Sequence, residues 1–256
     1  MDKLLYVLRG GKLSHQVEVY DTHLYRFQRS INVPGLGSKV DMTACARHYC
    51  AYLTDASNRC IHRVALPHGA DVANWRVPDT PSCLSVTDTH SLLVTFDVVR
   101  KIREFTTDGQ LLREIQLPQD FLTPRHAIQR SSGEFLVCHG RLDRGDPVHR
   151  VCSIDADGHV VQSYGGRKGS GRRQINSPTH IAVGRNGFVF VADFNNQRVL
   201  LLSPALSLVR EVLSREQLKW LPLRLWLDSA GGTLYVGVNE YKNGKHIAGQ
   251  VVVVSV

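Results

Sequence analysis

Two stretches of this chain gather groups that hold anions. The first, Arg167-Lys168-Gly169-Ser170-Gly171-Arg172-Arg173, puts four cations among small, permissive residues. The second, Arg141-Leu142-Asp143-Arg144-Gly145-Asp146-Pro147-Val148-His149-Arg150, is mixed in sign and supplies Arg144, His149 and Arg150. Lysine and arginine neutralise phosphates or carboxylates. Tyr164, Phe194, His149 and Tyr241 are the rings within reach of such segments that stack on unpaired bases. A net charge of +8 and a pI near 9.3 point the same way, toward nucleic acid, an anionic membrane or an acidic protein partner.

A different chemistry is open to Cys83, His126 and His180, each two residues after a proline (Pro81, Pro124, Pro178). Cysteine and histidine suit Zn²⁺, so a channel metal and a metal-dependent lyase or hydrolase form the alternative reading. Against it, the next equivalent position is Arg224, which repels a cation. Other catalytic patterns fail. Gly169-Ser170-Gly171 lacks the strand–serine–helix setting of a nucleophile elbow. Gly165–Gly171 lacks the Lys-Ser/Thr ending of a phosphate loop. Cys138 and His139 are adjacent strand residues, which point to opposite faces. The expectation is therefore a binding or scaffold module without catalytic residues or cofactor.

The elements that position these groups are strands. Helical periodicity is scarce, and short apolar runs recur between turns. In the clearest unit, Pro178-Thr179-His180-Ile181-Ala182-Val183 is followed by the turn Arg185-Asn186-Gly187 and then by Phe188–Asp193. Phe194-Asn195-Asn196-Gln197 leads to Arg198–Ser203, and Leu208–Val212 closes the unit. Units beginning at Met42, Pro81 and Pro124 follow the same plan. A third-strand apolar position recurs at Val17, Ile61, Ile102, Val151, Val199 and Val251, at intervals of 41 to 52 residues. A four-stranded unit at this period is the signature of propeller blades. Six anchors predict six blades, with about three strands at each end of the chain.

Bulk properties agree. The 256 residues, 43% hydrophobic and 21% charged, are expected to form one globular domain over residues 1–256. No apolar run has the length of a membrane helix. Six cysteines without a Cys-x-x-Cys spacing read as reduced thiols, and the opening residues as a strand, so the expected setting is cytoplasmic or nuclear.

The run from Pro178 to Val199, with Val191-Ala192-Asp193-Phe194-Asn195-Asn196-Gln197-Arg198-Val199 at its centre, resembles the NHL repeat. The glycine-rich lead-in ending Gln174-Ile175-Asn176-Ser177-Pro178 is similar to the run that precedes such repeats. His126 and His180 stand where the family has glycine, and Gly184 where it has aspartate. The resemblance implies a six-bladed β-propeller, all-β, whose blades are tied together by Asp193 and Arg198. Likeness to the NHL domains of tripartite-motif proteins implies RNA binding or protein recruitment on the loop face, by a monomeric propeller that can belong to a larger chain. Likeness to the related peptidyl-hydroxyglycine lyases implies the zinc alternative. The expected ligand groups are Arg144, His149, Arg150, Arg167, Lys168, Arg172, Arg173, Phe194 and Tyr241.

Overall fold

A computed structural model of the chain describes residues 4–10, 15–66, 68–69, 71–141, 145–242 and 245–256. They form six antiparallel sheets in chain order. The first contains β1 (Leu4–Gly10), β2 (His15–Asp21) and β3 (Phe27–Asn32). The second contains β4 (Val40–Cys45), β5 (Cys50–Asp55), β6 (Cys60–Ala65) and β7 (Val72–Arg76). The third contains β8 (Cys83–Val86), β9 (Leu92–Phe96), β10 (Lys101–Phe105) and β11 (Leu111–Gln116). The fourth has β12 (Pro124–Gln129), β13 (Phe135–His139), β14 (Val148–Ile154) and β15 (Val160–Arg167). The fifth has β16 (Pro178–Val183), β17 (Val189–Asp193), β18 (Arg198–Leu202) and β19 (Leu208–Leu213). The sixth has β20 (Leu221–Asp228), β21 (Thr233–Lys242) and β22 (Lys245–Ser255). This is the blade pattern of a six-bladed β-propeller, four-stranded in the middle of the chain and three-stranded at its ends.

Burial grades across each blade. Every residue of β5, β9, β13 and β17 is buried, whereas most of β11 and β19 and half of β15 are exposed. A strand covered on both faces needs a continuous apolar run such as Phe135-Leu136-Val137-Cys138; an outer strand needs charges to discourage edge pairing. The anchors follow this logic. Val17, Ile61, Ile102, Val151 and Val199 are fully buried, while Val251 lies half-buried on the outer strand β22. Val17 sits on the middle strand of a three-stranded sheet, because that sheet has one strand fewer ahead of it.

The chain divides into two compact units, residues 1–99 with 103–113, and residues 100–102 with 114–256. In the first, Val17, Val19, Ile31, Ala51, Leu53 and Val64 form one core, and Tyr52, Ile61, Leu84, Val94, Phe96 and Phe105 form another. In the second, Leu136, Val151, Tyr164, Ile181, Val191 and Leu200 fill the space between the fourth and fifth sheets. Ala192, Val199, Leu225, Leu234 and Val236 do the same between the fifth and sixth. All six cysteines are free and buried. Among the described residues no helix is long and apolar enough to cross a membrane.

Candidate ligand-binding face

Antiparallel order within the second unit sends the β13–β14, β17–β18 and β21–β22 loops to one end, together with the β15–β16 connection. The short β17–β18 loop is a single 3₁₀ turn, Phe194–Asn196, closed by Gln197 at φ 55°. Asn196 lies within the turn, and its side chain serves as a donor. Its Nδ2 donates to Asp193 Oδ2 and to Gly169 O, both at 2.8 Å.

Asp193 has no exposed surface, and burying a carboxylate is costly unless it is paired and hydrogen-bonded. It accepts from Asn176 N at 2.7 Å and from Arg198 Nε at 2.7 Å, besides Asn196. Burial pushes its carboxyl up, and these donors pull it back. Arg198 does more than neutralise it. Its Nη2 donates to Gln174 O at 2.9 Å and its Nη1 to Ser170 O at 3.3 Å. Three carbonyls of the β15–β16 connection are thus fastened by two side chains of the next blade.

The connection also folds on itself. Gly171 N donates to Gln174 Oε1 at 3.0 Å and Gly169 N to Ile175 O at 3.2 Å. Ile175 is fully buried beneath it. A Cβ on Gly169 would collide with Gln174 Oε1, so a side chain there would displace the amide that receives Gly171 N. Arg167, Lys168, Arg172 and Arg173 all project from this fixed backbone and are exposed. No ion pair found among the described residues engages any of the four.

The other expected groups divide. Phe194 and Tyr241 meet edge to face, with centroids 6.0 Å apart, and Tyr241 meets His246 in the same way at 5.7 Å. Tyr241 is 40% exposed, and Phe194 lies two residues from the Asn196 that grips Gly169. His149, in contrast, is fully buried. Its Nδ1 accepts from Ser177 N at 2.9 Å and its Nε2 donates to Asp146 O at 3.1 Å, which assigns the neutral tautomer. Burial lowers its pKa to match. Arg150 pairs with Asp120, donates through Nε to His139 Nε2 at 3.2 Å, and lies 5.6 Å from the Phe121 ring centre. His139 stacks on Phe121 at 4.2 Å; burial and then Arg150 hold its pKa down to about 3. Tyr164 is core. His149, Arg150 and Tyr164 therefore hold the blade together rather than offering free groups to a ligand. Arg144 lies outside the described residues.

Of the metal candidates, His126 and His180 belong to the second unit and stack with ring centres 3.6 Å apart. His180 Nδ1 accepts from Leu225 N at 3.4 Å. Burial first, then His126 and Arg224, drive its pKa well below that of a free histidine, with Arg125 acting in the same sense. Two guanidinium groups beside the paired imidazoles disfavour a further cation. Cys83, 1% exposed, belongs to the first unit.

No protein-family profile matches the chain. No curated protein sequence matches it either. Solved structures do. A chain of a nidogen–laminin complex is 15% identical with a TM-score of 0.69, covering 96% of this chain and 92% of that one. Virginiamycin B lyase from Staphylococcus aureus is 12% identical with a TM-score of 0.62, covering 100% and 89%. Regucalcin, a calcium-binding protein from Agrobacterium tumefaciens, is 16% identical with a TM-score of 0.59, covering 84% and 73%. The likeness is one of fold. At these identities the six-bladed propeller is shared and the chemistry is not, since enzymes and binding proteins both stand among the neighbours.

Proposed function

We propose that this chain is a non-enzymatic recognition module of NHL type that binds unpaired RNA across the loop face of its second unit. The observation that carries this reading is the tethered connection. Arg167, Lys168, Arg172 and Arg173 are exposed, with no ion pair among the described residues, on a backbone held by Arg198 and Asn196. A preorganised cationic loop binds phosphates without first losing loop entropy. Tyr241, with Phe194 and His246, supplies a partly exposed ring surface for bases at the same end of the blades. The NHL assignment rests on Asp193, Asn196 and Arg198, whose bonds give that spacing a physical purpose.

An acidic protein segment is the second reading. It needs only the four cations, and the burial of His149 and Tyr164 leaves fewer rings for bases than the sequence suggests. A zinc-dependent lyase is not the favoured reading, since Arg125 and Arg224 flank the paired imidazoles.

The test is equilibrium binding of a random unpaired RNA pool and of an acidic peptide to the purified chain, at two salt concentrations. Sequence-selective RNA binding that persists at physiological salt and is lost in R167E/R172E supports the first reading. Selective capture of the peptide alone moves the function to the second. Undiminished binding by R167E/R172E removes this face from consideration.

A further inference from the structure

In the fifth sheet the buried carboxylate of Asp193 is held by Asn196, three residues on, and neutralised by Arg198, five residues on. The second sheet repeats only the first half of that device. Asp55, at the end of β5, has no exposed surface, and Asn58 Nδ2 donates to its Oδ2 at 2.7 Å. Gly37 N and Asn58 N add bonds of 2.7 and 3.0 Å. Burial raises the Asp55 carboxyl, but these donors and His62 hold it below its ordinary value, so it is a buried anion. Five residues on stands Cys60 instead of an arginine, and no lysine or arginine among the described residues pairs with Asp55. A buried charge without a counter-charge is costly. We propose that Asp55, Cys60 and His62 form a binding site for a divalent cation of the zinc class, which takes the place of the missing guanidinium.

The β5–β6 hairpin brings the three side chains together. Its register sets Asp55 directly opposite Cys60, and His62 follows two residues later on β6, so all three leave one face of the sheet. Cys60 Sγ lies 3.4 Å, and Asp55 Oδ2 3.3 Å, from the same atom, His62 Nε2. The three ligand atoms all lie within 4.8 Å of one another. A proton on Nε2 serves the sulfur or the carboxylate, whereas an ion among the three bonds all of them. Tetrahedral zinc sets sulfur–nitrogen and nitrogen–oxygen edges at roughly 3.6 and 3.4 Å, close to those found. One corner of the tetrahedron remains for water.

The donor set selects the ion. Thiolate and imidazole favour zinc over calcium or magnesium. Gly37 N and Asn58 stay bonded to the carboxylate and orient it. Burial, then Asp55, raise the Cys60 thiol against the pull of Arg76, so the S–H bond breaks only on coordination and its proton goes to solvent. The filled site is neutral, because the ion's double charge is balanced by one carboxylate and one thiolate. Protonated His62 is the rival counter-charge. It leaves Nδ1–H buried with no acceptor among the described residues, in exchange for a single ion pair. Ligation at Nε2 carries the same N–H but gains bonds to three atoms. Ser57, Asn58 and Arg59 of the intervening turn are exposed, so opening one short turn admits the ion.

The experiment strips the full chain with a chelator and titrates it with Co²⁺, then Zn²⁺. The expected result is one ion per chain, a thiolate-to-cobalt charge-transfer band, displacement of cobalt by zinc, and about one proton released per ion. C60S should abolish the band. C60S and H62Q should each weaken zinc uptake by about 100-fold or more, beyond the loss typical of an outer-shell partner. H48A, which removes an exposed imidazole from the turn before β5, should change neither. C60R restores the arginine of the fifth sheet. It should take up no metal, and its urea midpoint should be insensitive to the chelator that lowers the midpoint of the unaltered chain. Circular dichroism establishes the fold of each variant. The proposal falls if the folded, unaltered chain takes up no stoichiometric metal, or if C60S keeps the charge-transfer band. It falls equally if H48A loses that band, or if chelation leaves the urea midpoint of the unaltered chain where it was.

Discussion

Arg198 Nε lies 2.7 Å from Oδ2 of the fully buried Asp193, and the same guanidinium holds two carbonyls of the preceding connection. In the second sheet the corresponding spacing runs Asp55, Asn58, Cys60. Asp55 and Asn58 keep the bond between them at 2.7 Å, but cysteine replaces the arginine, and His62 approaches the carboxylate instead. The shared aspartate–asparagine bond shapes the turn, whereas the arginine adds a grip on the neighbouring connection.

Removing that grip should be costly. Arg198→Ala leaves Asp193 buried with its cation gone, and breaking a buried pair from one side costs about 3–5 kcal/mol. Urea unfolding of R198A should register a loss of that size. Arg198→Lys, which cannot span the same carbonyls, should recover only part of it.

The basic connection can be disturbed without the pair. Gly169→Ala forces a Cβ onto Gln174 Oε1. It should weaken ligand binding several-fold with little change in the unfolding midpoint. Adding Gln174→Ala, which removes the obstacle, should restore part of the affinity, measured by fluorescence polarisation.

The rings separate the two ligand classes. Tyr241→Ala removes an exposed ring of the aromatic group. A stacked base is worth about 1–3 kcal/mol, so RNA affinity should fall by roughly tenfold or more. Acidic-peptide affinity should stay within twofold.

Stability should depend on pH through buried histidines. His139, held at about 3, and His149 and His180, both lowered, have folded pKa values beneath the unfolded value of about 6.5. Below that unfolded value the unfolded chain binds more protons than the folded one, so stability falls as pH drops. Above it both states are neutral and these groups contribute no slope. Each histidine adds up to about 1.4 kcal/mol per pH unit between its unfolded and folded pKa. Urea midpoints at pH 7.5, 6 and 5 should decline in that order, and His139→Gln should flatten the decline.

Much of the fold is legible because its signal is repetitive. The apolar runs at Phe135–Cys138 and Val189–Ala192 are long enough to be strands buried on both faces, and the Asp193–Arg198 spacing foretells the ion pair. Site residues are less legible, because residue type does not say which way a side chain turns. His149 and Arg150 read as part of a basic loop, but β14 begins at Val148 and takes both into the sheet. Tyr164 reads as a ring available for stacking, but its place on β15 turns it into the core. His246 gives no signal until the β21–β22 hairpin brings it against Tyr241.

The burial of every cysteine gives the protein an internal gauge of its own breathing. A thiol-alkylating reagent reaches these sulfurs only when a blade loosens, and while the fold is closed burial pushes Cys138 and Cys152 up to about 12 and keeps them protonated. Because the second, third and fourth sheets each carry at least one thiol, the order in which cysteines are modified ranks those blades by the ease with which they open. A repeat architecture whose units look alike on paper thus carries, in its thiols, distinguishable clocks.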